Sequence, residues 1–442
     1  MFLFSDQTPI TFHDALPEEV DVAIVGGGVI GVCTAWFLAK SGRKVLICDK
    51  GRIAGEQSSR NWGWVRVNGR DDAETPIAIE SLRLWEAFSE EIGPDIGFER
   101  RGIIELAETP EEMDFCERWM SVATENQLDT KLLTPDEIAR IFPAAKGAWI
   151  GGMMTPSDGR AEPFKAVPAI ARAAHSNGVV IREACAVRSV ETHNGRVCGI
   201  LTEHGKVKAQ SVLCAAGAWS NMFLGNMGID MPQLAVRGTV ARTGPAPSVF
   251  EGAAGAKDIF IRRRKDGGYS VATGITEHLI GSSSFRYGGR FVPALKSASE
   301  LSFRLGVDPT QAAFPRRKWS GDEITPFERT RVLNPASSKT VLEKMRAHLD
   351  ARVPALKNTT LIESWAGMID AMPDVVPVMD ELANPSGLFI ATGFSGHGFG
   401  IGPGAGKVMA EMIDGHAPRF DLSRFRFSRF ADGSKLKPGP GI

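Results

Sequence analysis

Val20–Gly31 reads VDVAIVGGGVIG, and its interpretation decides the fold. Val20–Val25 is a short apolar run of the kind that makes a buried strand. Over Gly28–Ala39 the pattern turns helical, with Val29, Val32, Trp36 and Ala39 on one face. Ser41-Gly42 closes that helix, and Lys44–Cys48 (KVLIC) is a second buried-type strand ending at Asp49. Strand, helix and strand make the βαβ unit on which dinucleotide folds are built. Gly26, Gly28 and Gly31 satisfy G-x-G-x-x-G. The first permits the tight turn, the second lets the backbone approach a pyrophosphate, and the third lets helix and strand pack closely. Val29 and Ile30 open the helix, whose N-terminus carries partial positive charge. Asp49, eighteen residues after Gly31, is placed to accept hydrogen bonds from a ribose diol and to repel a 2′-phosphate, with Lys50 beside it. NAD and FAD both remain open at this point.

Working outward, Glu162–Asn177 reads as a helix, Val179–Arg182 as a strand, Ala186–Lys208 as a hairpin turning at Asn194-Gly195, and Val212–Ala215 as a further short strand. Between about 226 and 330 the segments are short and alternating, among them Val236–Arg242, Asp258–Arg263 and Gly268–Thr273, which predicts an antiparallel sheet that shapes a pocket. Leu388–Thr392 is again a buried-type strand, followed by a glycine-rich loop, GFSGHGFGIGPGAG, and a helix over Lys407–Ile413. The predicted class is α/β (α+β overall). A Rossmann-like cofactor domain comes from 18–85, 145–225 and 345–425, interleaved with an antiparallel-sheet substrate domain from 86–144 and 226–344. The tail 426–442 follows, and the alternation of Arg and Phe from Arg419 suggests a strand or clamp packed on the domain. A Walker loop is excluded, because it would need glycine at Ile401 and a hydroxyl at Val408.

The 442 residues allow two or three domains at about 150 residues each. Lys and Arg number 51 against 52 Asp and Glu, so no overall field favours nucleic acid or an anionic membrane. The six cysteines form no C-x-x-C pair and read as reduced core residues of a cytoplasmic protein. The first twenty residues lack the basic and apolar regions of a cleaved signal, and no apolar run is long enough to span a membrane. The eight histidines show no metal-ligand spacing, so no metal is expected.

Several segments resemble the D-amino-acid-oxidase and sarcosine-oxidase superfamily of flavoenzymes along almost the whole chain. Gly55–Arg66 (GEQSSRNWGWVR) is similar to the family loop that wraps pyrophosphate and flavin. The resemblance implies cofactor contacts at Ser58, Ser59, Arg60 and Asn61, with Trp62-Gly63 beside the isoalloxazine. Val212–Ser220 (VLCAAGAWS) resembles the family strand ending in Ala-Ala-Gly-Ala-Trp, which implies that Ala215, Ala216, Gly217 and Trp219 lie close to FAD and that Val187 meets the adenine. Trp365-Ala366-Gly367 with Met372-Pro373-Asp374 resembles the W-A-G…P-D stretch, and Asp158-Gly159-Arg160 with Pro163 resembles the family's opening of a helix. Gly393–Gly402 is similar to the S-G-H-G-F loop at the flavin end, which implies contacts from Gly393, Ser395, Gly396, His397, Gly398, Phe399, Gly400 and Ile401. Backbone N–H groups there would stabilise negative charge on a reduced flavin.

The departures shape the expectation further. Gly367 stands where some members carry a flavin-linking cysteine, and Glu56–Trp64 has no linking histidine, which implies non-covalent FAD. Gly400 and Ser270 stand where oxygen-reactive members carry lysine, so the electron acceptor is expected to be a quinone, a cytochrome or another flavoprotein rather than O₂. The expected reaction is oxidation of the C–N bond of a small amine or amino acid by hydride transfer to flavin N5. The expected substrate classes are D-amino acids and cyclic or N-alkylated amino acids. The alternatives are a flavin subunit of a hetero-oligomeric dehydrogenase and a non-amine flavoenzyme, either a 2-hydroxyacid oxidoreductase or a hydroxylase. Arg66, eight residues beyond Ser58, is the candidate carboxylate anchor, with Arg237, Arg262 and Arg286 behind it. Tyr269 is a candidate pocket wall, and His397 a candidate flavin contact or loop brace.

Overall fold

In the computed structural model, which describes residues 3–297, 300–306, 308–310 and 318–439, the opening unit forms as β1 (Glu19–Val25), α1 (Val29–Lys40) and β2 (Val45–Cys48). The other positions of the expected 226–344 segment, and 440–442 of the tail, lie outside the described residues. β1 is central to an eight-stranded sheet and pairs in parallel with β2 on one side and with Gly205–Cys214 on the other. Val180–Arg182 extends the sheet beyond β2, and Leu388–Thr392 lies parallel to the end of Gly205–Cys214. Both faces of β1 and β2 are covered, which is why their sequences are nearly unbroken apolar runs. One core joins β1, α1, the helix Pro163–Ser176 and the helix Gly398–Ile413.

Two elements differ from expectation here. Val212–Ala215 is not a separate strand: Gly205–Cys214 is continuous, its first residues closing a hairpin on Arg196–Thr202 and its last seven lying along β1. The C-terminal helix begins at Gly398, not Lys407, so most of the expected glycine loop is helix. Five cysteines are buried, whereas Cys198 points outward from its strand and is exposed.

The second sheet has nine strands, and its order runs Leu361–Ala371, Leu234–Thr243, Tyr269–Ile280, Phe260–Arg263, Ala253–Gly255, Ile103–Ala107, Gly151–Thr155 and Lys131–Leu133, with Glu300–Leu305 beside Tyr269–Ile280. Most of its pairs are antiparallel. Strand membership departs from the expected division at two places. Leu361–Ala371 lies within 345–425, yet it pairs along its length with Leu234–Thr243, and Gly151–Thr155 pairs with Ile103–Ala107. Long-range pairing sets this, and neither segment differs locally from a strand of the other sheet. The chain therefore passes from one sheet to the other just after Ala371, which puts Asp370 and the strand Leu388–Thr392 side by side.

The tail is a clamp rather than a strand. Phe425 is fully buried, Arg424 pairs with Asp71 at 2.7 Å, and Arg429, within a short turn at Phe427–Phe430, pairs with Asp374 at 2.8 Å. Among the described residues, no helix is long and apolar enough to cross a membrane.

Candidate active site

The glycine turn after β1 is shaped by contact. Gly26 has φ 109°, and a Cβ there would lie 2.5 Å from the carbonyl oxygen of Ala215; at Gly31 it would lie 2.1 Å from the carbonyl oxygen of Gly26. No side chain fits at either place, so the turn and the strand end at Ala215 approach as only glycine permits. The loop after β2 folds back over this turn, and the Val29 N–H donates to Ser58 Oγ at 2.9 Å. Asp49 accepts N–H bonds from Gly27 at 2.8 Å and Gly51 at 2.7 Å. Burial pushes its carboxyl up to about 6 despite those donors.

Between these parts runs an elongated cleft of about 1230 Å³, counting its open mouth. Of the expected contacts, Gly26, Gly28, Val29, Ile30, Asp49, Lys50, Ser58, Asn61, Val187, Ala215, Ala216, Gly217, Trp219, Gly396, Gly398 and Phe399 line it. Glu56 braces the wall, accepting from Lys50 Nζ at 2.6 Å and Trp219 Nε1 at 2.9 Å, and the Lys50 ammonium sits 4.3 Å over the Trp219 ring. At the far end the cleft meets the N-terminus of Gly398–Ile413. The glycine cradle, the Asp49 carboxylate just after β2 and this positive helix end together fit FAD.

A second cavity, of about 850 Å³, adjoins the cleft and shares Gln57, Asn61, Gly396 and Phe399 with it. Its other walls include Trp62, Trp64, Arg66, Arg70, His397 and Gly400 from the cofactor side, and Val240, Ile275 and Ile369 from the antiparallel sheet. His397 Nδ1 lies 2.9 Å from Glu74 Oε2, and both residues are buried. Burial alone would raise Glu74, but His397 and Arg70 hold it below the usual carboxylate range, while burial, then Arg70, lowers His397. The pair is therefore a neutral imidazole donating from Nδ1 to a carboxylate, which leaves Nε2 as an acceptor. His397 thus bonds across to Glu74, the residue that leads into the helix Thr75–Glu91, and does not brace its own loop with its ring.

Several expected residues take other positions. Arg66 lines the second cavity, but its guanidinium is ion-paired with Glu105. Arg237 pairs with Glu277, Arg262 with Glu162 and Arg286 with Asp230, and none of the three lines either cavity. Tyr269 is fully buried in the core of the antiparallel sheet, where its hydroxyl accepts the Val249 N–H at 2.9 Å, so it is no pocket wall. Ser270 also faces away, its hydroxyl accepting from Arg262 at 3.1 Å. Arg60 is buried and donates to the carbonyls of Ala366 and Gly55, a brace for the loop that also reaches the second cavity. Gly31, Ser59, Gly63, Gly367, Gly393, Ser395 and Ile401 line neither cavity. Ser395 Oγ accepts from the Met372 N–H, Ile401 is core, and a Cβ at Gly367 would lie 2.1 Å from Gln57 Oε1. Sequence reading missed Arg70, Glu74, Asp370, Arg331, Phe223 and Phe327, because no motif marks them. Asp370 accepts the Gly393 N–H at 2.7 Å, with its carboxyl raised to about 6 by burial.

A family model described as DAO, FAD dependent oxidoreductase, matches residues 21–412. The chain is similar to 4-methylaminobutanoate oxidase (formaldehyde-forming) of Paenarthrobacter nicotinovorans, 26% identical over 95% of this chain and 47% of that protein. It therefore spans about half the length of that relative. It is also similar to glycine oxidase of Geobacillus kaustophilus, 27% identical over 94% of this chain and 98% of that protein. Among solved structures it is similar to L-amino acid deaminase from Proteus myxofaciens in complex with anthranilate, at 29% identity and TM-score 0.90, covering 96% of each chain.

Proposed function

The chain belongs to the DAO family of FAD-dependent oxidoreductases, and on that premise we propose that it oxidises the C–N bond of a small amine or amino acid with a non-covalently held FAD. The observation that carries this is the second cavity, which opens onto the flavin end of the cleft between the two sheets. By their names, the three relatives act on amines or amino acids, which supports the substrate class. When bound, the flavin supplies the hydride acceptor. The protein's share is positioning and proton control. The aromatic walls Trp62, Trp64 and Phe399 exclude water, and the N-terminus of Gly398–Ile413 favours negative charge at its end of the cleft. His397 Nε2 takes the ammonium proton, because only the neutral amine gives up its α C–H as hydride, and Glu74 holds the ring for that transfer.

Non-covalent attachment is supported by glycine at 367, which offers no side chain to link, and by the lack of histidine in Glu56–Trp64. With Ser270 turned away, the case against an oxidase rests on Gly400 and on the walls of the second cavity, where no lysine stands among the described residues. A dehydrogenase is the reading these favour, with a quinone, a cytochrome or a flavoprotein as acceptor. The test is to purify the yellow protein, release FAD by denaturation, and follow anaerobic bleaching by amino acids, secondary amines and hydroxyacids. Bleaching by amines or amino acids, with reoxidation by a quinone faster than by air, is the expected result. Bleaching by NADPH alone would refute it.

A further inference from the structure

Arg66 and Arg70 stand four residues apart on one loop and both line the second cavity, yet they differ in their partners. Arg66 is ion-paired with Glu105 and lies 5.5 Å from the Trp64 ring centroid. Arg70 is only 5% exposed, and among the described residues its side chain has no hydrogen bond or ion pair; its Nη1 is a buried donor without an acceptor. The placement is enforced. Asp158 accepts the N–H groups of Val67 at 2.8 Å and Asn68 at 3.2 Å, the Arg70 N–H donates to the Val67 carbonyl at 3.1 Å, and Trp119 Nε1 donates to the Arg70 carbonyl at 2.9 Å. The backbone on both sides is thus pinned, and the guanidinium cannot retreat to water. A buried guanidinium whose donors lack acceptors is costly unless a ligand completes it. Burial, with Arg66 nearby, pulls Arg70 down to about 9, although Glu74, Asp158 and Glu105 act in the opposite sense without bonding to its guanidinium.

We propose that Arg70, rather than Arg66, anchors the substrate carboxylate, and that the cavity takes an amine bearing one carboxylate and an apolar side chain. This rests on the amine-oxidation reading above and narrows it. A planar guanidinium fork binds a carboxylate through two parallel N–H bonds, and Arg70 is the cation on this wall whose fork is not already taken. A second carboxylate would have to displace Glu105 from Arg66 or stand beside it. The rest of the wall, with Trp62, Trp64, Val240, Ile275 and Ile369, offers an apolar surface to the side chain.

The test titrates the FAD-loaded protein with benzoate, with its neutral isostere benzamide, and with phthalate, following perturbation of the flavin absorption band. Arg70→Met should raise the apparent Kd for benzoate about 30-fold or more, as expected for loss of a charged hydrogen-bonded pair, and leave benzamide within about threefold. Arg66→Met should change benzoate by less than about fivefold, and wild-type protein should bind phthalate about tenfold more weakly than benzoate. If Arg70→Met does not hold FAD, Arg70→Lys serves: it keeps the charge, loses the fork, and should weaken benzoate about fivefold or more without moving benzamide. Benzoate affinity unchanged in either Arg70 variant, or equal losses for benzoate and benzamide, overturns the anchor. Phthalate binding as tightly as benzoate overturns the single-carboxylate limit. If no amine bleaches the wild-type flavin while benzoate binding still depends on Arg70, the functional reading fails and the anion site stands.

Discussion

A carboxylate that accepts two backbone N–H groups ordinarily titrates low, yet Asp49 sits near 6 against an ordinary value of 3.8, because desolvation outweighs both donors. The sign of the consequence differs between states. A folded pKa raised above the unfolded one means that ionising Asp49 subtracts stability from the cofactor-free protein above about pH 6. That penalty is relieved as the pH falls from about 6 towards 4. A ribose diol, by contrast, donates to the ionised form. The apparent Kd for FAD should therefore rise by up to about tenfold per pH unit below 6, and Asp49→Asn should flatten the profile; flavin fluorescence quenching measures both. His397 permits a second test at this scale. If Nε2 takes the ammonium proton, His397→Asn should slow anaerobic flavin reduction by about 100-fold at neutral pH, with recovery at alkaline pH where the amine is already neutral. A merely structural loss would not recover with pH.

The C-terminal helix shows how an element can contradict its own propensities. Glycines at 398, 400, 402, 404 and 406 and the interior Pro403 would each disfavour an isolated helix, by about 1 kcal/mol per glycine relative to alanine and about 3 for proline. Neighbours compensate. The Gly400 carbonyl accepts from Ser81 Oγ at 2.7 Å and Trp85 Nε1 at 3.0 Å, and the Gly404 N–H donates to Ser81 Oγ at 3.2 Å. The glycines themselves are required by packing, since a Cβ at Gly402 would lie 2.6 Å from Val29 Cγ2 and one at Gly406 2.6 Å from Cys33 Cβ. At Gly404 the obstacle is backbone, with the Ile77 carbonyl oxygen 2.5 Å away. Gly404→Ala, which should stabilise a free helix, is accordingly expected to destabilise this protein by about 1–3 kcal/mol through overpacking. A lower thermal midpoint, with reduced FAD content, is the observation that checks it.

Across the whole molecule, the tail reaches back to the segment that links the sheets, and the Arg429–Asp374 pair is nearly solvent-free at 4% and 3% side-chain exposure. Removing one partner of such a pair leaves a buried charge, so Arg429→Met should cost about 3–5 kcal/mol, and pairing it with Asp374→Leu should recover most of the loss. Denaturant midpoints of the single and double variants, together with FAD release rates, test whether the tail holds the cofactor end closed. The βαβ unit, its glycine turn and Asp49 were legible from the chain alone, because strand–turn–helix patterning and G-x-G-x-x-G operate over a few consecutive residues. So were the cleft-lining positions Ser58, Asn61, Ala215–Gly217, Gly396, Gly398 and Phe399, through resemblance of short motifs. Tertiary structure alone decided the rest. It turned Tyr269 and Ser270 away from the cavity, made a helix of the glycine run, and gave Leu361–Ala371 to the other sheet. It also separated Arg66 from Arg70, because Glu105 reaches the first from a strand 39 residues away and leaves the second unpaired. Local order follows from neighbours in sequence, whereas a side chain's charge balance depends on which distant strands the fold brings beside it.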